Sequence, residues 1–299
     1  MTAVGVHDAA SPRLSVVVPT AGGWGHLDDV LDSLAHAVTE LGVEVVAVSG
    51  GNDECAPPAR RGVTFLTVPQ PDVFACRAWG VAHARGDVVS LLEDHLRVSP
   101  SWAGELIAAW AARPDADALV HSITTQPDAG QWETALFTIT SGPFVSVAEL
   151  PTDRLPVPGI VSFRRSLVGQ CVPAVGWLEY DLLAQVQRSG RMTLVDVSPP
   201  MHVQPVTWRA PLLAFHSGRM FAGSRVVDAT APRSGELRRL LHDVGTIARQ
   251  TVAARRRTNG GRLGLRFAGC VIVLVCAQVT GQLVGIVTRS PGSSAQHLD

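Results

Sequence analysis

The stretch Val88-Val89-Ser90-Leu91-Leu92-Glu93-Asp94-His95 decides how this chain reads. A short, nearly continuous apolar run is the pattern of a parallel strand buried on both faces. This one stops abruptly at two carboxylates and an imidazole. In an open α/β sheet, ligands bind beyond the carboxyl ends of the strands. Glu93, Asp94 and His95 therefore stand at the mouth of a site, with oxygen and nitrogen donors suited to a divalent cation. A strand that ends in a solvated acidic turn would show the same pattern, so the rest of the chain has to decide.

Upstream, Leu14–Val18 is an apolar strand stopped by Pro19-Thr20 and the loop Gly22-Gly23-Trp24-Gly25. From His26 to Leu41, apolar residues at Leu27, Val30, Leu31, Leu34 and Val38 have helical spacing. Val43–Val48 is a second strand, ending at Ser49-Gly50-Gly51-Asn52-Asp53, and Val63–Val68 a third. A helix around Cys76–Ala84 leads through Gly86-Asp87 into the opening stretch. Downstream, Trp102–Ala112 is predicted helical and Ala118–Thr124 extended. Alternating strand and helix means a mostly parallel sheet with crossover helices. From about 125 to 175 the pattern loosens around Pro151, Pro156, Pro158 and Gly159. A helix from Leu178 to Ser189, a short strand at Val195-Asp196-Val197, and helices over 212–227 and 236–255 follow.

Several chemistries are excluded. The first glycine loop does not supply G-x-G-x-x-G, and no G-x-S-x-G elbow is present. The chain contains no lysine, so it has no phosphate-loop lysine. Net charge is −1. Residues 1–233 carry 16 arginines against 23 acids, whereas residues 234–266 carry eight against two. An acidic body with few, scattered aromatics argues against a nucleic-acid partner. The five cysteines are odd in number and form no CxxC pair, which argues against a disulfide framework or a zinc site and favours a reducing compartment.

Taken together, these residues resemble a family 2 glycosyltransferase of GT-A fold over roughly residues 13–225. Leu14-Ser15-Val16-Val17-Val18-Pro19-Thr20 resembles that family's first strand and nucleotide-contacting turn. Arg77 with Gly80 and Ala84-Arg85-Gly86-Asp87 resembles its run into the metal strand. Leu91-Leu92-Glu93-Asp94-His95 falls where the family keeps Asp-x-Asp, as a Glu-Asp-His variant. Gly159 to Arg165 resembles the loop that closes over the acceptor side. Trp177-Leu178-Glu179-Tyr180-Asp181, followed by Gly190, resembles the acidic helix start that supplies the base. His202 sits where many members place a late histidine. Three features depart from the pattern. Asp53 is displaced from the usual aspartate pair that holds base and ribose, and histidine replaces the last acid of the metal motif. Leu178-Glu179 stands where the family has Glu-Asp before the Asp-Leu pair, which leaves Glu179 as the base candidate.

The resemblance implies an α/β, GT-A (nucleotide-diphospho-sugar transferase) fold with a C-terminal helical tail. It also implies inverting transfer from a nucleotide-diphosphate sugar to a hydroxyl acceptor. The departing diphosphate calls for a divalent cation, Mn2+ or Mg2+, and an imidazole suits manganese better. The expected ligands are Asp94, His95 and His202, with Glu93 orienting the ribose or a bound water. Donor-side residues are Pro19, Thr20, Asp53, Arg77, Glu93 and Asp94. Arg77 pairs either with a donor phosphate or with an acid such as Asp94. Arg219 and Arg225 are further candidates for the diphosphate. Glu179 is the expected base, and such proton transfer is worth roughly 10²–10⁴ in rate. Asp181, two residues on, points elsewhere on the helix. Trp177 is the acceptor-side aromatic, and Trp102 is expected in the core.

Residues 267–287 contain no charged residue, which is the length of a membrane span. Arg255-Arg256-Arg257, Arg262 and Arg266 precede them, where they can attract anionic headgroups. A buried or in-plane helix has the same composition. The expected organisation is a flexible leader over 1–12, a GT-A domain over 13–230, a basic helical segment over 231–266, an apolar helix over 267–287 and a flexible tail over 288–299. Residues 1–12 show no signal-peptide core, so a cytoplasmic protein at the inner face of the cell membrane is expected. Its acceptor would be a glycan or lipid-linked. The rival is a catalytically inactive GT-A-like protein that binds a nucleotide sugar or glycan, or scaffolds a membrane complex.

Overall fold

The computed structural model describes residues 13–20, 23–50, 59–69, 73–141, 160–171, 191–204, 208–228 and 264–289, and the single residues 182, 186 and 245. The elements are β1 (Leu14–Thr20), a 3-10 turn (Trp24–Leu27), α1 (Asp28–Leu41), β2 (Glu44–Gly50), β3 (Val63–Val68), α2 (Val73–His83) and β4 (Val88–Leu91). Then come β5 (Leu96–Arg97), α3 (Trp102–Ala111), β6 (Ala118–His121), β7 (Thr124–Thr125), α4 (Gln131–Thr140), β8 (Val161–Arg164) and α5 (Arg165–Cys171). The last are β9 (Met192–Val195), β10 (Met201–His202), α6 (Ala210–Asp228) and α7 (Leu265–Thr288).

Seven strands form one sheet in the order β3-β2-β1-β4-β8-β6-β9. Only β8 runs against its neighbours. The chain steps outward from β1 to β3 and then crosses back to β4. Right-handed crossovers place α1 and α2 on opposite faces. Every residue of β1, and all but the last of β2, is buried, as their valine-rich runs require. α2 lies so close to the sheet that a Cβ on Gly80 would stand 2.3 Å from Cγ1 of Val17. Trp102, Leu106 and Trp110 form the buried face of α3, and Nε1 of Trp110 donates to Oγ of Ser162 on β8 at 3.0 Å.

Several boundaries differ from those expected. β1 continues through Pro19 to Thr20, because pairing with β2 persists to Thr20↔Ser49. Leu92 donates to the Val17 carbonyl, so alternate residues of β1 face β4. Pro19 therefore faces β4 beyond their last pair, Val17↔Leu91, and its missing donor breaks no ladder bond. The strand expected over Ala118–Thr124 stops at His121, and Thr124–Thr125 joins another sheet. The loosened region contains α4 and the four-residue β8, each too short or too mixed to show a clear period. β9 precedes the expected Val195–Val197. In the helix expected from Leu178 to Ser189, Leu182 and Val186 are helical and buried; its other residues lie outside those described. So do the leader, the loop at Asp53, most of 236–255 and residues 290–299.

Candidate metal and donor site

The carboxyl ends of β1 and β4 lie side by side, and a second small sheet closes over them. That sheet has the order β5-β10-β7. His202 on β10 pairs with Leu96 on one side and Thr125 on the other. Val203 donates to the His95 carbonyl at 2.8 Å, which locks this strand to the end of the opening stretch. His202 thus reaches the site through a three-strand ladder that no local pattern in the sequence encodes.

His95 lies between two carboxylates. Its Nε2 is 3.0 Å from Oε2 of Glu93 and its Nδ1 2.9 Å from Oδ1 of Asp94. The Arg77 guanidinium reaches Oε1 of Glu93 at 3.3 Å, and Thr20 hydrogen-bonds to Asp94. The His202 ring stands edge-on to His95 at 4.6 Å and packs on Phe137 of α4 at 5.4 Å. Ligating atoms of Glu93, His95 and His202 all lie within 4.8 Å of one another. Two ligands each about 2.0–2.6 Å from one cation can be at most about 5 Å apart. His202 is buried, and its Nδ1 has no hydrogen-bond partner among the described residues. A buried, unpartnered imidazole nitrogen beside two carboxylates fits a cation with mixed oxygen and nitrogen ligands.

The charges follow from this packing. Burial works to raise the Glu93 pKa, but the hydrogen bond and charge of His95, with Arg77 and His202, outweigh it and hold it at about 2. Burial likewise raises Asp94, and the bond and charge of His95 with the Thr20 bond bring it below its ordinary value. Burial disfavours the His95 cation, yet Asp94 and Glu93 push its pKa up to about 10. Burial, then the nearby His95 charge, drives His202 down to about 3, so its ring is neutral and free to ligate. A proton on His95 and a metal ion therefore compete for the same two carboxylates.

The structure brings together Thr20, Arg77, Glu93, Asp94, His95 and His202 of the residues expected here. Glu93 rather than Asp94 joins the two histidines in the ligand cluster, and Arg77 pairs with Glu93 rather than Asp94. Asp94 and His95 form a turn closed by the Leu96 amide on the Glu93 carbonyl, so no strand period in the sequence could separate the two carboxylates. Pro19 lies beside Thr20 at the end of β1. Trp102 is fully buried, as expected for a core residue. Asp53, Trp177, Glu179 and Asp181 lie outside the described residues. Arg219 and Arg225 are on α6, and the Arg219 backbone is packed against α7. Phe137, which wedges His202 in place, was missed because α4 was not foreseen. His121, at the end of β6, is pushed down to about 4 by burial and packs near Trp102, which makes it a neutral core ring.

The sequence profile described as glycosyl transferase family 2 matches residues 15–171. None of the curated proteins matches the chain. Among solved structures, the mannosyltransferase PcManGT from Pyrobaculum calidifontis, in complex with GDP-Man and Mn2+, is 16% identical with a TM-score of 0.55, over 92% of this chain and 90% of that one. Staphylococcus aureus TarS 1–349 with UDP-GlcNAc is 14% identical with a TM-score of 0.47, over 88% and 79%. Glucosyl-3-phosphoglycerate synthase from Mycobacterium tuberculosis with Mn2+, UDP-Glc and phosphoglyceric acid is 17% identical with a TM-score of 0.46, over 65% and 73%. The first of these likenesses shows a shared fold, of GT-A type.

Proposed function

The chain belongs to glycosyl transferase family 2, and from that premise we propose that it transfers a hexosyl group, with inversion, from a nucleotide-diphosphate sugar to a hydroxyl acceptor. The observation that carries this reading is the convergence of Glu93, His95 and His202 at the carboxyl edge of the sheet, beside the nucleotide-side turn Pro19-Thr20. These three would hold Mn2+ or Mg2+, with Asp94 alongside. Bound there, the cation neutralises charge that grows on the departing nucleoside diphosphate. PcManGT was solved with Mn2+ and GDP-Man, in keeping with such a site.

The chain's own residues prepare this place. Arg77 is buried and points its guanidinium at Glu93, fixing the carboxylate in one orientation. Thr20 ties Asp94 to the end of β1, so donor turn and ligand strand move as one unit. Phe137 and the His95 ring confine the His202 imidazole. Glu179 accepts the proton of the acceptor hydroxyl, Asp181 orients the acceptor or its helix, Trp177 stacks on the acceptor, and Asp53 holds the nucleotide. Residues 13–230 form the transferase domain. The basic segment and apolar helix that follow bring it to the inner face of the cell membrane, where the acceptor is lipid-linked or an envelope glycan.

Thermal stabilisation by a panel of nucleotide sugars, with and without Mn2+, tests this reading. Binding stabilises by RT ln(1 + [L]/Kd), about 2.7 kcal/mol at 100 times Kd. One donor should raise Tm in a Mn2+-dependent way, and Glu93→Ala should abolish the Mn2+ component. No metal-dependent donor binding would refute the site. Donor binding without slow donor hydrolysis or transfer would leave a binding protein in place of an enzyme.

A further inference from the structure

α7 (Leu265–Thr288) is the most apolar helix of the described chain long enough to cross a membrane, with mean hydropathy 2.2 over its richest window. One of its faces is committed to the protein. A Cβ on Gly281 would lie 1.9 Å from the Phe215 carbonyl oxygen, and one on Gly285 2.4 Å from that of Arg219. On α6, a Cβ on Gly218 would lie 2.2 Å from the Gln278 oxygen. Backbones approach this closely only across glycine. Gly281 meets Phe215 and Arg219 while Gly285 meets Arg219 and Gly223, so the two helices run parallel. Further toward the N-terminus, Phe267, Val271 and Leu274 pack on Ala210 and Ala214 of α6 and on α4.

The opposite face is bare. Leu265, Ile272, Val273, Cys276, Leu283 and Val287 are exposed, with Gly269 and Thr280 filling the gaps between them. At about 100° per residue these positions fall within one arc about 100° wide, along roughly 33 Å of helix. None is charged. Arg266 stands at the N-terminal edge and Arg289 just past the last turn. Where α6 begins, Trp208 is 76% exposed, with the Arg209 guanidinium 5.7 Å from its ring centre and Leu212 exposed nearby. A transmembrane orientation of α7 would carry α6 into the bilayer with it, including Arg219 beside Gly281 and Gly285, against a desolvation cost.

We infer that α7 lies in the plane of an anionic lipid surface, its uncharged arc in the acyl boundary and its flanking arginines among the headgroups, and does not span the membrane. The inference deepens the membrane contact proposed above and rests on it. Three observations favour lipid over a second copy of the chain. The arc is continuous, and its side chains offer only the Thr280 hydroxyl, already bonded to the Cys276 carbonyl, and the weakly polar Cys276 thiol. An exposed tryptophan, Trp208, stands just before α6, the helix that runs parallel to α7, and such amphipathic rings suit membrane interfaces. The preceding 33 residues, 234–266, carry eight arginines against two acids, which complements anionic headgroups.

Co-sedimentation of the full chain with vesicles, without donor or metal, tests it. Phosphatidylcholine containing phosphatidylglycerol should retain the protein at low salt, and pure phosphatidylcholine should hold at least tenfold less. Ile272→Asp with Leu283→Asp should reduce retention at least tenfold while soluble-donor hydrolysis and Tm stay unchanged. Loss of hydrolysis in the unaltered protein would strike the transferase reading alone, because vesicle retention is read separately. Alkaline carbonate should strip the protein from vesicles, and vesicles should shield Cys276 from a thiol reagent. Resistance to carbonate would establish a span and overturn the inference. So would equal retention on neutral vesicles, or absence of retention with a dimer that the paired aspartates dissociate.

Discussion

Glu44→Gln probes the network that sets the turn before the metal strand. Glu44 is buried at the start of β2. Its Oε2 accepts from the Ser15 hydroxyl at 2.5 Å and from the Arg85 amide at 2.7 Å, and its Oε1 from Nε of Arg85 at 2.7 Å. Ser15 in turn accepts from the Gly86 amide at 2.8 Å. Burial raises the Glu44 pKa, but the Ser15 and Arg85 bonds together bring it below the ordinary glutamate value. A glutamine oxygen can still accept from Ser15 and the Arg85 amide. Its NH2 then faces the guanidinium, which is 73% exposed on its side chain and can turn to water at little cost. The main loss is charge assistance to two hydrogen bonds, one buried and one half-buried, about 1 kcal/mol each, or about 2 kcal/mol in total. Urea unfolding at pH 7 should show a midpoint lowered by roughly 0.5–1 M. Because the folded pKa is depressed, the wild-type advantage is fully present above the unfolded pKa and is lost as pH falls through the folded one. The gap between the two proteins should therefore close below about pH 4.5. A gap that stays constant from pH 7 to pH 3 would refute the electrostatic account, and no gap at pH 7 would refute the network's role.

Three further outcomes follow from the same structure. His95→Asp makes the ligand set richer in oxygen, so metal preference, read by competitive titration, should move from Mn2+ toward Mg2+; the metal-free protein should lose Tm, because three carboxylates then meet without the imidazolium. Gly80→Ala gains about 1 kcal/mol of helix propensity but forces a Cβ to 2.3 Å from Val17, an overpacking cost of about 1–3 kcal/mol, so unfolding should show net destabilisation and not a gain. Trp110→Phe removes the bond to Ser162 in the core and should cost about 1–3 kcal/mol by the same assay, with donor affinity unchanged.

Much of the scaffold was legible in sequence, because burial on both faces demands unbroken apolar runs. β1 to β4 and their helices are where those runs predict them, and so is the acidic end of β4. What failed was short or mixed. β8 offers only Val161-Ser162-Phe163-Arg164, and its antiparallel place between β4 and β6 depends on partners distant in sequence. α4 mixes threonine with apolar residues and shows little period. The roles of Glu93 and Asp94 were interchangeable on paper, since both are carboxylates at one strand end. Both touch His95, but Glu93 also faces Arg77 and His202, while Asp94 is tied back to Thr20.

By itself the sequence determined the alternation of strand and helix, the donor atoms at the end of β4, and an apolar helix beside a basic segment. These are local properties, set by side-chain period and by the need to bury or hydrate each residue. The family resemblance put His202 among the expected ligands, but only the tertiary structure shows what carries it there from more than 100 residues beyond His95: the pairing of β10 with β5 and β7, a contact between distant segments. It also decided what the apolar helix can do. Composition cannot distinguish a span from a surface helix, but a glycine seam against charge-bearing α6 leaves a single uncharged face to meet lipid.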